Sequence, residues 1–492
     1  MLTGTDEHGI KIQKAAAQAG VDVKLFCDEN CTKFQQLAKA ANVDYNYFIR
    51  TTDLDHKKAV KHAWEVLKHH GYIYQAKHEG WYSIGDETFY PESQVHLVLD
   101  PATGRKHMAS METGREVEWS SEINYHFRLS NFREKLLKFY EDNPDWVTPQ
   151  SRMTEVIQWV ETGLEDLSIS RPSERLSWGI PVPGDESQTI YVWVDALMNY
   201  ATRAGYPFTP GQESAKGWPA DVHVIGKDIA RFHCVYWPAL LMALGLPLPR
   251  RILTHAHWTM GSKKMSKSDG NVVNPFLALG RFGVDPLRFY LIYQGGIADD
   301  SNYENRYVAR DYRKCLQGGL GNLVSRLVRA KRYNIRRTVE RASQKSLPPL
   351  EEPDETYKDA IFKLAAEVTR LMDELNSRGA LQAMVDAIYQ ANAYLELRRP
   401  YRLVEDDHAM EQGEADHIIF NLIETVRIVG ILLQPIMPEK MKMLFGLLGV
   451  DENRRTIEYA QFGADASYGV PTIPLGKGSE GTLFPPRPTD EY

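Results

Sequence analysis

The sequence contains little cysteine, no long hydrophobic run and no excess of basic residues. Its 492 residues include four cysteines, too few for a disulfide framework, which favours a reducing compartment. No apolar run approaches the ~18 residues that a membrane span needs, so no membrane association is expected. The net charge of -7 argues against general binding of nucleic acids, although a local basic patch still allows phosphate contacts.

The order of helix-like and strand-like segments indicates several domains. Alternating strands and helices predict an α/β fold with a doubly wound parallel sheet, a β-rich stretch predicts a small inserted subdomain, and later helical stripes predict an α-helical bundle. The predicted parts are a first part of the core at 1–74, an insertion at 75–160, a second part of the core at 161–260, a lysine-rich loop and linking region at 261–302, a helix bundle at 303–460, and a loosely ordered tail at 461–492.

A glycine-bounded loop at 261–270 concentrates lysines and serine hydroxyls. It includes the run Lys263-Lys264-Met265-Ser266-Lys267-Ser268, between a predicted strand and a predicted helix. Ammonium groups on a flexible loop can stabilise the negative charge that builds up during phosphoryl or nucleotidyl transfer. A solvated basic surface loop is the alternative that composition alone allows.

A tight turn follows the first predicted strand and reads Thr5-Asp6-Glu7-His8-Gly9. Asp6 would lie at the carboxyl edge of a parallel sheet, where α/β folds bind ligands, and could hold a ligand's ammonium group. A metal site formed by this turn is the less favoured alternative, because adjacent side chains in a turn rarely converge. Further along, Cys27 and Cys31 are predicted to be packed, reduced thiols rather than metal ligands.

Two central stretches are typical of a small-molecule site. The stretch 190–200 puts Trp193, Ala196 and Tyr200 at helical spacing, which fits either core packing or the wall of an apolar pocket. Residues 222–243 read as a strand, a glycine turn and a helix, the geometry of a nucleotide site. There Gly226 would allow close approach to the backbone, and Asp228 is a candidate acceptor for ribose hydroxyls.

After residue 300 the pattern becomes helical. Apolar residues recur at intervals of three and four, as in Leu316, Leu320, Leu323 and Leu327, which predicts a helix bundle. The first helix leads into a basic stripe, a candidate RNA contact in an acidic protein, with an ordinary solvated face as the alternative. The stripe comprises Arg326, Arg329, Lys331, Arg332, Arg336, Arg337, Arg341 and Lys345.

Several of these stretches together resemble the methionyl-tRNA synthetase family, from residue 1 to about 450. Lys264-Met265-Ser266-Lys267-Ser268 matches all five positions of the KMSKS motif of class I aminoacyl-tRNA synthetases. The turn at 5–9, the stretch 191–196 and the segment 225–233, which includes Phe232-His233, resemble the family's amino-acid and ATP sites. Gly321-Asn322-Leu323 with Arg326 resembles the marker of the family's anticodon-binding bundle.

The resemblance implies a Rossmann-like catalytic core and an ATP-dependent methionine--tRNA ligase that works through a methionyl-adenylate. By carry-over, the methionine-binding residues are Asp6, Arg171, Trp193, Ala196, Tyr200, Ile229 and His233. The ATP-binding residues are Gly226, Asp228, Lys264, Ser266 and Lys267, of which Lys264 and Lys267 are catalytic. The anticodon-binding residues are Asn322, Arg326 and Tyr401.

The partners that the resemblance implies are methionine, ATP with Mg²⁺, and tRNA(Met). The residues at 72–130 contain no cysteine, whereas many members of the family have zinc-knuckle cysteines there, so no zinc is expected. This pattern resembles the compact, bacterial-like mitochondrial enzymes. A monomer in the mitochondrial matrix is therefore expected, with a cytoplasmic protein as the alternative.

The family's HIGH motif, which precedes the aspartate turn, has no counterpart in this sequence. We therefore expect residues 1–492 alone to bind tRNA but to activate methionine negligibly, and an upstream HIGH-bearing segment to restore activation. A catalytically impaired product that keeps tRNA binding is one alternative function. A sister class I synthetase for leucine, isoleucine, valine or cysteine is another, which the aromatic stretch, the absent editing insertion and the absent zinc ligands disfavour.

Overall fold

A computed structural model of the protein describes residues 1–84, 88–90, 92–100, 104–111, 113–209, 211–265, 271–349, 352–404 and 409–487. The chain divides into two compact units, unit 1 at Met1–His255 and unit 2 at Ala256–Tyr492. Unit 1 combines parallel strands, helices and antiparallel sheets, whereas unit 2 is mainly helical.

The core of unit 1 consists of parallel strands connected through helices. Leu2–Thr5 pairs with Tyr47–Arg50, and Arg251–His255 lies between Val222–Gly226 and Val147–Thr148. This is the predicted α/β class, but the described strands form two separate ladders rather than one continuous doubly wound sheet. The helices of the unit are Ile10–Ala19, Val23–Ala40, Leu54–His69, Arg133–Asp142, Gln150–Glu161, Val192–Leu197, Asn199–Ala204 and Trp237–Ala243.

Apolar helix faces pack into the centre of unit 1. The helix Leu54–His69 buries its residues 59, 60, 63, 64 and 67, which lie on one face at helical spacing. The two faces of the strand Val222–Gly226 differ in exposure: His223 and Ile225 are buried, whereas Val224 is 65% exposed. Because side chains alternate along a strand, the face that carries Val224 is only partly covered by the described residues.

The predicted insertion contains an antiparallel sheet. Its strands, in spatial order, are Thr88–Tyr90, Ile73–Ser83, Glu116–Phe127, Lys106–Ser110 and Val95–Leu99, with Leu167–Ser168 also paired to Glu116–Phe127. A second small antiparallel sheet joins Ser170–Pro172, Asp185–Ile190 and Pro181–Val182. The predicted range 75–160 also includes Val147–Thr148, which pairs with the core strand Arg251–His255. The structure therefore returns to the core sheet before residue 160.

The two neighbouring cysteines of unit 1 pack inside it, as predicted. Cys27 and Cys31 are both buried, and neither forms a disulfide. Burial, reinforced by the negative charge of Glu7, raises the pKa of the Cys27 thiol to about 11. This thiol therefore stays protonated near neutral pH and behaves as a small apolar group.

Unit 2 begins with a short hairpin and continues as a helix bundle. Trp258–Met260 pairs with Lys263–Lys264 and with Ser301–Asn302. The predicted leucine stripe at 316, 320, 323 and 327 is fully buried in the core of the bundle. The helices are Pro275–Phe282, Val284–Gln294, Asn305–Asp311, a π-helix at Tyr312–Gly321, Asn322–Val328, Ile335–Ser343, Asp354–Asp373, Ser377–Arg398, Pro400–Leu403, Ala409–Leu433 and Pro438–Leu448.

The end of the chain packs against the bundle. Tyr468 and Phe484 are at most 1% exposed and belong to the bundle core. The Arg329 guanidinium donates to the backbone carbonyls of Gly476 and Gly478 at 3.1 and 3.0 Å. The described part of the tail predicted at 461–492 is therefore anchored at particular residues, because Tyr468, Leu483 and Phe484 are buried although the segment shows no periodicity.

Within the described part of the chain, no helix is long and apolar enough to cross a membrane.

We expect Phe484→Ala to destabilise unit 2 by about 3–5 kcal/mol, the usual cost of truncating a buried phenylalanine. Val470→Ala is the matched control from the same segment, because the Val470 side chain is 60% exposed and such a change normally costs less than about 0.5 kcal/mol. Urea unfolding followed by circular dichroism measures both variants. Equal stability of the Phe484 variant and the parent would contradict the packed arrangement.

Candidate active site

The turn after Leu2–Thr5 is held by a buried carboxylate. Glu7 accepts hydrogen bonds from Arg50 Nε and Nη2 at 2.7 and 2.9 Å and from Thr5 Oγ1 at 2.7 Å. A two-point arginine–carboxylate contact fixes orientation as well as distance. Gly9 follows with a φ of 107°, which favours glycine. With Glu7 turned inward, Asp6 is left exposed at the carboxyl end of the strand.

Aromatic rings from four elements meet in one cluster, which we call the ring cluster: Trp193, Tyr200, His223, Phe232 and His233. The Trp193 and Phe232 rings are stacked, with centroids 3.6 Å apart and planes 10° apart. The Tyr200 centroid lies 4.1 Å from that of His223 and 5.8 Å from that of His233. The short helices Val192–Leu197 and Asn199–Ala204 supply the first two rings, and the π-helix Phe232–Tyr236 supplies the last two.

His233 lies between a donor and an acceptor. Its Nε2 is 2.9 Å from the Tyr200 hydroxyl, and its Nδ1 is 3.0 Å from the backbone carbonyl of Ile229. Since a carbonyl only accepts, Nδ1 carries the proton and donates it to Ile229, whereas Nε2 accepts from Tyr200. Burial lowers the pKa of His233 to about 4, so the imidazole is neutral near pH 7.

Asp6 lies within electrostatic range of the ring cluster. Burial raises the pKa of Tyr200 to about 12, and the negative charge of Asp6 acts in the same direction. Ala196 is half-buried on the same helix as Trp193, and its carbonyl accepts a hydrogen bond from Asn199 at 2.6 Å. The indole N–H of Trp193 is buried and has no hydrogen-bond partner among the described residues.

Arg171 is buried in a different surrounding. Its guanidinium carbon lies 5.3, 5.0 and 4.7 Å from the ring centroids of Tyr82, Phe89 and Tyr191. Its Nη1 donates to the Ser168 hydroxyl at 2.9 Å, and its Nε has no hydrogen-bond partner among the described residues. Tyr191 directly precedes the helix Val192–Leu197, which carries Trp193. Arg171 therefore contacts the N-cap residue of this helix of the ring cluster.

The candidate nucleotide residues of unit 1 lie at a strand end. Gly226 is the last residue of Val222–Gly226 and pairs with His255. Asp228 is exposed in the following turn, Lys227–Ile229. Asp228, the candidate ribose-binding residue, is next to Ile229 in this turn. Ile229 is a candidate methionine-binding residue, and its carbonyl accepts the hydrogen bond from His233.

The KMSKS motif is described only in part. Lys264 is exposed at the end of the hairpin strand Lys263–Lys264, and its carbonyl accepts a hydrogen bond from Asn271 at 3.2 Å. Ser266 and Lys267 lie outside the described residues. The predicted convergence of these lysines with Gly226 and Asp228 stays a prediction.

The predicted anticodon residues lie on two helices of unit 2. Asn322 is exposed at the start of Asn322–Val328, and Arg326 of the same helix pairs with Glu396. Tyr401 lies in Pro400–Leu403, after Arg399, whose φ of 46° bends the chain.

Tyr333 lies near both Arg326 and Tyr401. The Arg332 guanidinium is 3.5 Å from the Tyr401 carbonyl. Burial raises the pKa of Tyr333, and Arg326, Arg332 and Tyr401 all act electrostatically on it. The structure therefore brings Arg326 and Tyr401 into one neighbourhood.

Four residues of the basic stripe contact other parts of unit 2. Arg329 and Arg336 hold the last segment of the chain, the latter through the carbonyls of Ala466 and Tyr468. Arg337 and Arg341 pair with the buried carboxylate of Asp416 at 3.1 and 2.6 Å. The interpretation of the whole stripe as an RNA contact is therefore too broad, because at least these four side chains bind the protein itself.

Comparison with known proteins gives the family. The model of the family described as tRNA synthetases class I (M) matches residues 1–328. The chain belongs to this family.

The relatives of this class I synthetase are methionine--tRNA ligases, as the sequence motifs predict. A probable mitochondrial methionine--tRNA ligase of Neurospora crassa is 52% identical over 100% of this chain and 79% of its own length. The human mitochondrial methionine--tRNA ligase is 40% identical over 98% of this chain and 82% of its own length. The structure of Mycobacterium tuberculosis methionyl-tRNA synthetase in complex with methionyl-adenylate matches with a TM-score of 0.89 at 37% identity, covering 99% of this chain and 91% of that one. The resemblance to methionyl-tRNA synthetases is confirmed.

Several residues of the candidate site are not assigned from the sequence. The resemblance places Phe232 within a matching segment without a role, although its ring stacks on Trp193. No motif includes His223 or His56. The contact of His223 with Tyr200 joins residues 23 positions apart, and that of His56 with Asp195 joins residues 139 positions apart. One available signal was Asp195, an acidic residue inside an otherwise apolar stretch, because such a residue needs a buried partner.

The buried histidines predict a loss of stability in acid. The folded pKa is lowered from 6.5 to about 4 for His233 and to about 3 for His223. Below about pH 6.5 the unfolded chain binds protons that the folded chain does not, so unit 1 should lose up to about 1.4 kcal/mol per pH unit for each histidine. We expect His233→Gln to flatten this loss between about pH 6.5 and 4.

Denaturant unfolding of unit 1, measured at several pH values, checks this expectation. The control is His96→Gln, because His96 is exposed on the strand Val95–Leu99. An unchanged pH slope in the His233 variant would contradict the neutral, buried assignment.

Proposed function

We propose that this chain is a methionine--tRNA ligase of the mitochondrial matrix, which attaches methionine to tRNA(Met) with ATP through a methionyl-adenylate. The observation that carries the proposal is the ring cluster with Asp6 beside it, adjacent to the turn after a parallel strand. Ligands of α/β folds bind at such strand ends. The similarity to methionine--tRNA ligases and the sequence motifs support this assignment.

In this proposal methionine binds with its side chain against the ring cluster. A thioether is polarisable and packs well on aromatic rings, and Trp193, Ala196, Tyr200 and Ile229 offer a largely apolar surface. The His233 hydrogen bonds are satisfied internally, so the pocket does not demand a polar side chain from its ligand. Asp6 pairs with the ammonium group of methionine.

In the same proposal Arg171 stabilises the site without contacting methionine directly. Its guanidinium lies 4.7 Å from the Tyr191 ring, and cation–π attraction holds that ring in position. The helix Val192–Leu197 begins at the next residue. Arg171 therefore affects methionine binding indirectly, because it helps to position the helix that carries Trp193 and Ala196.

The reaction proceeds by displacement at the ATP α-phosphate. A methionine carboxylate oxygen forms a bond to that phosphorus while the bond to the pyrophosphate oxygen breaks, and the terminal adenosine hydroxyl of tRNA(Met) then displaces AMP. Gly226 admits the nucleoside and Asp228 accepts from its ribose. Lys264 and Lys267, with Ser266, meet the phosphate charge, and Mg²⁺ arrives with ATP as part of the substrate.

The tRNA is read by the helix bundle of unit 2. Tyr401 stacks on an anticodon base, Asn322 hydrogen-bonds a base edge, and Arg326 contacts the backbone. Arg326 and Tyr401 both lie near Tyr333, so one RNA segment can reach both of them. We further propose that one chain acts alone, as a monomer.

Calorimetric titration of the purified chain with methionine and with leucine tests the proposed function. Methionine should bind at least about tenfold more tightly, because differences of this size between side chains are worth about 1–3 kcal/mol. Trp193→Ala should weaken methionine binding without preventing tRNA binding. Equal affinity for the two amino acids would contradict the assignment.

Replacing Tyr401 tests the anticodon contact. Tyr401→Ala should lose about 1–3 kcal/mol of affinity for tRNA(Met), the usual value of one aromatic–base stack. Methionine affinity should not change. The control is Phe362→Ala, because Phe362 is 66% exposed on the bundle helix Asp354–Asp373. Fluorescence anisotropy with labelled tRNA measures both, and an equal loss in the control would refute a specific role for Tyr401.

Zinc content tests the proposal that the insertion folds without this metal. Because residues 72–130 contain no cysteine, the insertion offers no thiolate to bind zinc. Mass-spectrometric metal analysis of the purified protein should find substoichiometric zinc. One zinc per chain that survives dialysis against a chelator would overturn the proposal.

A further inference from the structure

A buried carboxylate joins three elements of unit 1. Asp195 lies in the helix Val192–Leu197 and is 0% exposed. Its Oδ2 accepts a hydrogen bond from His8 Nδ1 at 2.6 Å, and its Oδ1 accepts one from His56 Nε2 at 2.7 Å. His8 comes from the turn after the first strand, and His56 from the helix Leu54–His69. Both histidines are themselves buried.

The donors match the acceptor chemically. Burial alone would raise the pKa of Asp195, but the hydrogen bonds from His56 and His8 keep it below its ordinary value. An ionised carboxylate away from water needs such donors, because an unpaired buried charge is strongly destabilising. Both Asp195 oxygens are therefore committed to these histidines.

The network continues toward Tyr200. His56 Nδ1 lies 3.2 Å from the Thr202 hydroxyl, and that hydroxyl lies 2.8 Å from the Met198 carbonyl. Thr202 belongs to the helix Asn199–Ala204, which also carries Tyr200. Asp195 is thus connected to both short helices of the ring cluster and, through His8, to the turn that carries Asp6.

We propose that Asp195 is a positioning residue that fixes the ammonium-binding turn relative to the aromatic pocket. Asp195 lies two residues after Trp193, and His8 lies two residues after Asp6. A single hydrogen bond therefore sets the separation between the carboxylate that pairs with the methionine ammonium group and the rings that bind its side chain. This inference rests on the proposed function.

Asp195→Asn tests the proposal. The asparagine side chain has the same shape, but one of its two positions becomes a donor that faces a histidine N–H. Loss of one hydrogen bond to a charged group is worth about tenfold, so methionine affinity should fall about tenfold or more. The affinity for tRNA(Met), which is bound by unit 2 in the proposed function, should not change.

The matched control is Asp416→Asn. Asp416 is 2% exposed and accepts hydrogen bonds from Arg337, Thr338 and Arg341. It is a buried, multiply bonded aspartate of the other unit, so its replacement should lower stability and leave methionine affinity unchanged. Calorimetry measures methionine affinity, and thermal unfolding measures stability in both variants.

Replacements of His8 separate positioning from simple packing. The amide nitrogen of asparagine stands close to the place of an imidazole Nδ1 and also donates. His8→Asn should therefore retain methionine affinity within about threefold of the parent, whereas His8→Leu should lose about tenfold. This contrast also applies if Asp195→Asn fails to fold.

The outcomes distinguish this inference from the proposed function. Tight methionine binding by the parent with unchanged affinity in Asp195→Asn, or equal losses in His8→Asn and His8→Leu, would overturn the positioning role alone. Absence of selective methionine binding by the parent chain would overturn the proposed function, and this inference with it.

Discussion

The hydrogen bonds to the Asp195 carboxylate organise unit 1, because they join segments that are far apart in sequence. His8, His56 and Asp195 come from three separate elements and lie together without access to water. In such surroundings each polar group must find its partner in the protein, so the arrangement has few alternatives. The ring cluster rests on elements that are fixed in this way, and a site built on fixed elements holds its ligand in one geometry.

Unit 2 uses charge differently. Two of its buried acids are satisfied by arginines: Asp416 by Arg337 and Arg341, and Glu424 by Arg427, whose Nε lies 2.6 Å from the carboxylate. Arginine suits this role because its planar group donates several hydrogen bonds at once. An arginine-rich sequence is therefore an ambiguous sign of RNA binding, since the same residues also hold buried acids and backbone carbonyls. In this protein the two roles can be told apart by the burial of the acid: an arginine that pairs with buried Asp416 or Glu424 stabilises the fold.

The sequence was sufficient for features that depend on local pattern. The stripe of Leu316, Leu320 and Leu323 predicted a bundle helix because helical spacing puts these residues on one buried face. The motif residues Asp6, Tyr200 and His233 were assigned by resemblance, and the structure brings them into one neighbourhood.

The remaining features depend on contacts that no local pattern reveals. The pairing of His56 with Asp195 crosses 139 positions, and the strand Val147–Thr148 has only two residues, too few to show alternation. Tyr468 is buried within a tail rich in glycine and proline, where its hydroxyl donates to the distant Glu424 at 2.7 Å. In each case tertiary packing, rather than propensity, decides the structure.

The neutral state of His233 connects packing to selectivity. A thioether and an aliphatic side chain of similar size differ little in hydrophobicity, so a pocket that separates them depends on the fixed positions of its rings. A protonated His233 would lose the hydrogen bond that its Nε2 accepts from Tyr200 and would put a positive charge beside an apolar ligand. Burial prevents this by lowering the pKa of His233 to about 4. The same desolvation that makes the pocket apolar therefore also keeps Tyr200 in the position that the proposed ligand requires.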